Sequence, residues 1–210
     1  STQLVPCKAL LKQMAFDKQF KVRDFPEDWL NKKLKDLDET LERKRALKKY
    51  VDFIKGGYSG WIYLNGGIGT GRSYFSAVIS VDAANRNLGP ICYINCVNRI
   101  RELNDVAFAK KGNDFQTTID KYSQVPILVL DDFGNEFKSD FVRDGILYPI
   151  LSYRASHGLF TIINSDFSIE EIKTLYGATN KAGEIRAKQI ANLLKNECGE
   201  EINLGDLKIY

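Results

Sequence analysis

The chain has 210 residues, 44% of them hydrophobic and 27% charged, which suits a soluble α/β domain with a buried core plus an appendage. It contains no apolar run of about 18 residues, so no transmembrane helix is predicted, and Ser1-Thr2-Gln3 does not begin a signal peptide. A cytoplasmic protein is expected, and four scattered cysteines with no Cys-x-x-Cys exclude a zinc or redox site built on such a pair.

The net charge of +3 is uneven: residues 1–57 are basic and the remainder slightly acidic, which fits either a solvated helix face or a surface for nucleic acid or an acidic partner. Pro26 followed by Glu27 and Asp28 predicts a helix start, with Trp29, Leu30, Leu34 and Leu37 as its apolar stripe. Leu41, Leu47, Tyr50, Val51 and Ile54 predict a second helix that Gly56-Gly57 ends. A helical linker region over 1–57 and a core domain over 58–210 follow from that boundary. From Trp61 onward strand and helix patterns alternate, which predicts a parallel sheet covered on both faces. Strands are predicted at 62–65, 91–95, 127–131 and 161–164, with a fifth over 201–204. Helices are predicted over 72–87, 97–110 and 139–156, with a short piece over 113–122. Ser168-Ile169-Glu170-Glu171 reads as a capping-box helix start, and 184–195 as the last long helix.

Gly66-Gly67-Ile68-Gly69-Thr70-Gly71-Arg72-Ser73 fits the phosphate-binding P-loop at every position but one. That loop joins a strand to a helix so that backbone N–H groups and the helix N-terminus surround phosphate oxygens. Arg72 stands where the motif has Lys. Ile127-Leu128-Val129-Leu130 then runs into Asp131-Asp132, the Walker B pattern of carboxylates at a strand tip. Ser73 and Asp131 are placed to address one Mg²⁺, and Asp132 to orient an attacking water.

Beyond these motifs the chain resembles the AAA+ helicase loaders of DnaC/DnaI type, with the related IstB-like transposition helpers. The DnaI branch is matched by Gly71-Arg72-Ser73-Tyr74, by Leu130-Asp131-Asp132-Phe133-Gly134-Asn135-Glu136, and by Val142-Arg143-Asp144 running on to Leu151-Ser152-Tyr153-Arg154. The resemblance implies a three-layer αβα AAA+ sandwich on a five-stranded parallel sheet, and with little sequence after the fifth strand no separate lid domain is expected. It implies ATP or ADP with Mg²⁺ held by Gly66 to Ser73 with Tyr74. It also implies a replicative DNA helicase as partner, single-stranded DNA, and self-association into a ring or helical oligomer. Residues 1–57 resemble only the linker before the core, so a fragment is expected. Cys7 is read either as a leftover ligand of a preceding zinc domain or as a free thiol in a loop.

Four departures bear on hydrolysis and leave it open. Arg72 replaces a compact ammonium with a wide planar fork. Asp132 stands where many AAA+ proteins carry Glu, although the DnaI pattern itself has Asp-Asp. At the sensor-1 segment, Ile163-Asn164-Ser165-Asp166 puts an acid at the family's Asn position, with Asn164 as the substitute polar group. In the last helix, one register places Gln189 and Leu193 at the two arginine positions, and another uses Arg186 with Lys188 or Lys195 nearby. A nucleotide-insensitive adaptor and an IstB-like helper are therefore the alternatives to an ATP-driven loader. Arg99, Arg101, Lys110 and Lys111, with Phe108 and Phe115, are candidates for single-stranded DNA, against a plain solvated face with core aromatics. His157, before Gly158, is read as a helix cap.

Overall fold

The structure, a computed structural model, describes residues 7–57, 60–109, 112–177 and 180–205. Among the described residues six parallel strands form one sheet in the order β1-β3-β4-β5-β2-β6: β1 Phe20–Arg23, β2 Ile62–Asn65, β3 Ile91–Asn95, β4 Ile127–Asp131, β5 Phe160–Ser165 and β6 Glu201–Asn203. Alternate residues supply the two faces. Tyr63, Cys92, Ile94, Leu128, Leu130 and Ile163 join one core cluster, while Ile62, Leu64, Ile91, Tyr93, Ile127, Val129 and Ile162 join the other. That two-residue period on a sheet covered from both sides makes the central strands largely apolar ahead of their polar carboxyl ends.

The first face is covered by α4 Cys96–Phe108, α5 Gly112–Gln124, α6 Tyr148–Ser156, α7 Ile169–Leu175 and α8 Lys181–Cys198, and the second by α2 Leu41–Ile54 and α3 Arg72–Asn85. An N-terminal helix, α1 Lys8–Asp17, precedes β1. The fold is the three-layer sandwich of AAA+ P-loop domains, as the resemblance implied.

The sheet has six strands rather than five because β1 pairs alongside β3. Its four residues alternate Phe20 and Val22 with Lys21 and Arg23, too short a pattern to stand out, and the basic pair suits a sheet edge. The helix expected from Pro26 is two 3₁₀ turns, Glu27–Asn31 and Leu34–Asp36, because Lys32 and Lys33 are extended. Asp36 accepts a hydrogen bond from the Lys33 N–H at 2.8 Å, a local alternative to the helical ladder. The helix expected over 139–156 opens with a π-helical stretch, Val142–Leu147, before α6. Pro149 lacks an N–H and its ring would press on the carbonyl four residues earlier, so the widened turn accommodates it.

Arg154 fastens this face together. It is fully buried, and its hydrogen-bond partners among the described residues include no carboxylate. Its guanidinium donates to the carbonyls of Tyr122 (3.1 Å), Ser123 (3.3 Å), Val125 (2.7 Å) and Phe160 (2.6 Å) and to Thr161 Oγ1 (2.9 Å). The first three are carbonyls at the α5 C-terminus, which the helix cannot satisfy itself. Burial pushes the Arg154 pKa down to about 9.

Candidate nucleotide site

The strands end together, with Asn95 beside Asp131 and Asn65 beside Ser165, so the polar residues at their carboxyl ends converge on one edge of the sheet. From Asn65 the chain turns through the glycine loop into α3. Gly66, Gly69 and Gly71 have φ of 140°, 78° and 85°, which side chains rarely adopt. At Gly66 the space is closed as well, since a Cβ there would lie 2.7 Å from the Gly205 carbonyl oxygen. Gly67 N–H donates to that carbonyl at 2.9 Å, and Thr70 Oγ1 donates to Gly67 O at 2.9 Å. From α2, Arg43 braces the far side, donating to Thr70 O at 2.9 Å while pairing with Asp38 at 2.7 Å. Ile68 is exposed, and the Tyr74 ring meets Trp29 edge-on.

Beneath the loop, Asp131 Oδ1 accepts from both Ser73 Oγ and Asn164 Nδ2, each at 2.8 Å. Tyr93 Oη lies 3.0 Å from the other oxygen and 3.1 Å from Ser73 O. Burial, then the Asp131 charge, holds the Tyr93 phenol well above its ordinary pKa, so it stays a donor. Asn164 accepts from Ser76 Oγ at 2.8 Å and is buried. Asp132 follows in the left-handed region at φ 57°, unusual for a residue with a side chain, and accepts from Asn95 Nδ2 at 2.7 Å. Burial first, and the Asp131 charge next, raise its pKa above the usual aspartate value.

Arg72 is only 9% exposed and lies folded against the protein. Its Nη1 donates to the carbonyls of Gly66 and, at 2.7 Å, Ser165; its Nη2 pairs with Asp166. Asp166 also accepts from Asn135 Nδ2 at 2.7 Å. Burial opposes ionisation of Asp166, but the hydrogen bonds from Asn135 and Arg72 and the Arg72 charge outweigh it, and its pKa is lowered. Two of the departures noted in the sequence therefore touch each other.

The loop and acids suit a magnesium nucleotide. The loop stands at the N-terminus of a 14-residue helix, and a hydroxyl and a carboxylate meet beside it. A cleft of about 460 Å³ adjoins it, bordered by Asn65, Gly67, Asp166 and Glu171. Asn65 Oδ1 and Arg43 Nε are the buried side-chain polar atoms without a partner among the described residues, and both flank the loop. Sequence reasoning missed Tyr93, Asn95, Ser76, Asn135 and Arg43; only Asn95 was legible in principle, as the residue level with Asp131 in the neighbouring strand.

The remaining candidates lie elsewhere. Arg99 is committed to Asp24 through two hydrogen bonds, of 2.7 and 2.5 Å, and to Glu102 at 2.9 Å. Arg101 contacts Asn98 at 3.4 Å, and Lys110 and Lys111 fall outside the described residues. Phe108 is exposed rather than in the core, whereas Phe115 is partly buried; both rings pack near Phe141. Arg186 stacks over Tyr148 at 3.8 Å, lies 3.4 Å from Asp144 and donates to Gln189 at 3.0 Å. Leu193 is partly buried against the core, and Lys195 pairs with Glu170 at 3.1 Å. His157 ends α6 as read from the sequence, with Nδ1 2.8 Å from Tyr153 O. Cys7 is exposed at the start of α1.

No family model matches the chain. Over 174 residues, 78% of the chain, it is 28% identical to the replicative helicase loader DnaI of Bacillus subtilis (strain 168), and spans about half, 54%, of that relative's length. A crystal structure of DnaI superposes with a TM-score of 0.75 at 26% identity, covering 89% of this chain and 97% of that one. The crystal structure of the DnaC helicase loader gives 0.62 at 20% identity over 86% and 99%. In sequence the chain is thus similar to the helicase loader DnaI, and in fold to both DnaI and DnaC.

Proposed function

We propose that this chain binds ATP or ADP with Mg²⁺ in the Gly66–Ser73 loop and helps place a replicative DNA helicase on single-stranded DNA at replication initiation, in the cytoplasm. The observation that carries the nucleotide part is the Ser73–Asp131 contact beneath a glycine loop at a helix N-terminus. Gly66, Gly67, Ile68, Gly69, Thr70, Gly71 and Tyr74 would line the nucleotide, and Ser73 and Asp131 would hold the metal. Nucleotide with its metal supplies binding energy and, on hydrolysis, phosphoryl-transfer chemistry. The chain's own part is to aim its loop amides, to keep Asp131 fixed through Tyr93 and Asn164, and to hold Asp132 on Asn95 where it can orient a water. Residues 58–210 carry the loop and the acids, and residues 1–57 lead into them while adding β1 and α2 to the same sheet and core.

The helicase partner rests on the likeness to a protein named a replicative helicase loader. Mixing the chain with its replicative helicase and a single-stranded circle tests this. A stable complex by size exclusion and faster helicase loading are expected; neither complex nor faster loading contradicts it. The adaptor reading is favoured by one observation, the engagement of Arg72 by Asp166, which removes from the loop the cation expected to meet phosphate.

A further inference from the structure

Arg72 and Asp166 differ from the loader pattern in complementary ways, one gaining a forked cation and the other a carboxylate, and the two side chains are paired. A carboxylate and a phosphate offer the guanidinium the same acceptor chemistry. Both Nη1 hydrogens are taken by the Ser165 and Gly66 carbonyls and one Nη2 hydrogen by Asp166, so the paired face of the guanidinium is occupied. The pair is also placed for exchange: Arg72 is nearly buried, whereas the Asp166 side chain is 32% exposed and borders the cleft beside the loop. Asn135, on the turn after β4, holds the second oxygen of Asp166 and keeps the carboxylate turned toward Arg72.

We propose that Asp166 is a built-in competitor for the nucleotide, occupying Arg72 in the resting protein, so that a polyphosphate binds fully only by taking the guanidinium from it. The inference rests on the nucleotide reading above and adds what sets its affinity. Occupancy would free Asp166 and loosen Asn135, transmitting the bound state to the turn that leads through Ser168 into α7.

Affinities of Mg²⁺-ADP and Mg²⁺-ATP for the wild type, Asp166→Asn, Arg72→Gln and the double variant test it, with thermal melts to verify folding. Asp166→Asn is expected to bind about tenfold tighter. In the Arg72→Gln background the same change should have little effect, because the contested cation is gone. Asn135→Ala, which leaves both members of the pair in place, should give a smaller gain of the same sign. Unchanged affinity in Asp166→Asn, with the wild type binding, would overturn the competition and leave the nucleotide reading intact. An equal gain with and without Arg72 would also overturn it, since it would reveal simple charge repulsion. No binding by any of the proteins at millimolar nucleotide would remove the nucleotide reading, and the proposal with it.

Discussion

Arg154 and Arg72 are both withdrawn from solvent, yet they are held by different kinds of partner. Arg154 sits under α5 and α6 among backbone carbonyls and a threonine hydroxyl, all fixed parts of the framework. Arg72 stands at the loop edge, and its charge is balanced by one partly exposed side chain. A guanidinium surrounded by helix-end carbonyls has no competitor small and charged enough to replace them. One paired with a solvent-facing carboxylate has a competitor in any polyanion. The first arrangement stores stability and the second stores responsiveness, although the residue type is the same.

The largest effect should come from breaking the Arg154 side of this contrast. Arg154→Leu leaves the carbonyls of Tyr122, Ser123 and Val125 without their donor and should cost roughly 3 kcal/mol or more in urea unfolding. A loss below about 1 kcal/mol would mean the carbonyls find other partners. At the loop edge, Asp131→Asn should weaken Mg²⁺-dependent nucleotide binding about tenfold while changing metal-free binding less. Equal losses in both conditions would remove Asp131 from the metal shell.

Turnover depends on the same loop-edge guanidinium. If the Arg72 fork limits hydrolysis, Arg72→Lys should raise the ATPase rate about tenfold, near 1.4 kcal/mol of barrier. If the last helix limits it instead, that change alone does little and Gln189→Arg is needed too, with its effect seen only when subunits assemble.

The smallest expected effect concerns Asp132. Its raised pKa means the folded state retains a proton that the unfolded chain has released, so its contribution is fully present below the ordinary aspartate value and is lost as pH rises through the folded-state pKa. Asp132→Asn should therefore raise the melting temperature at neutral pH by a few degrees and flatten that part of the pH profile, while lowering any turnover. A lower melting temperature would show that Asn95 holds the carboxylate more favourably than burial and the Asp131 charge penalise it.

Much of this was legible in the sequence because it rests on local pattern. The Gly66–Ser73 spacing, the apolar run into Asp131-Asp132 and the strand and helix alternation located the loop, the acids and the sheet. β1 escaped because four alternating residues at an edge carry little signal. The π-helical turn escaped because its cause, Pro149, acts on a carbonyl one turn upstream. Tyr93, Asn135 and Arg43 reach the site from other elements, through distances that no linear spacing encodes. Most telling, Arg72 and Asp166 were each visible as departures, but their partnership was not, because 94 residues separate them in the chain.

The proposed function requires that the glycine loop still hold nucleotide despite Arg72. Calorimetric titration of ADP and ATP into the wild-type protein, with and without Mg²⁺, tests it most directly. Saturable binding of one nucleotide per chain, tightened by Mg²⁺, is the expected result. No heat and no competition with a fluorescent ADP analogue at millimolar nucleotide would contradict it.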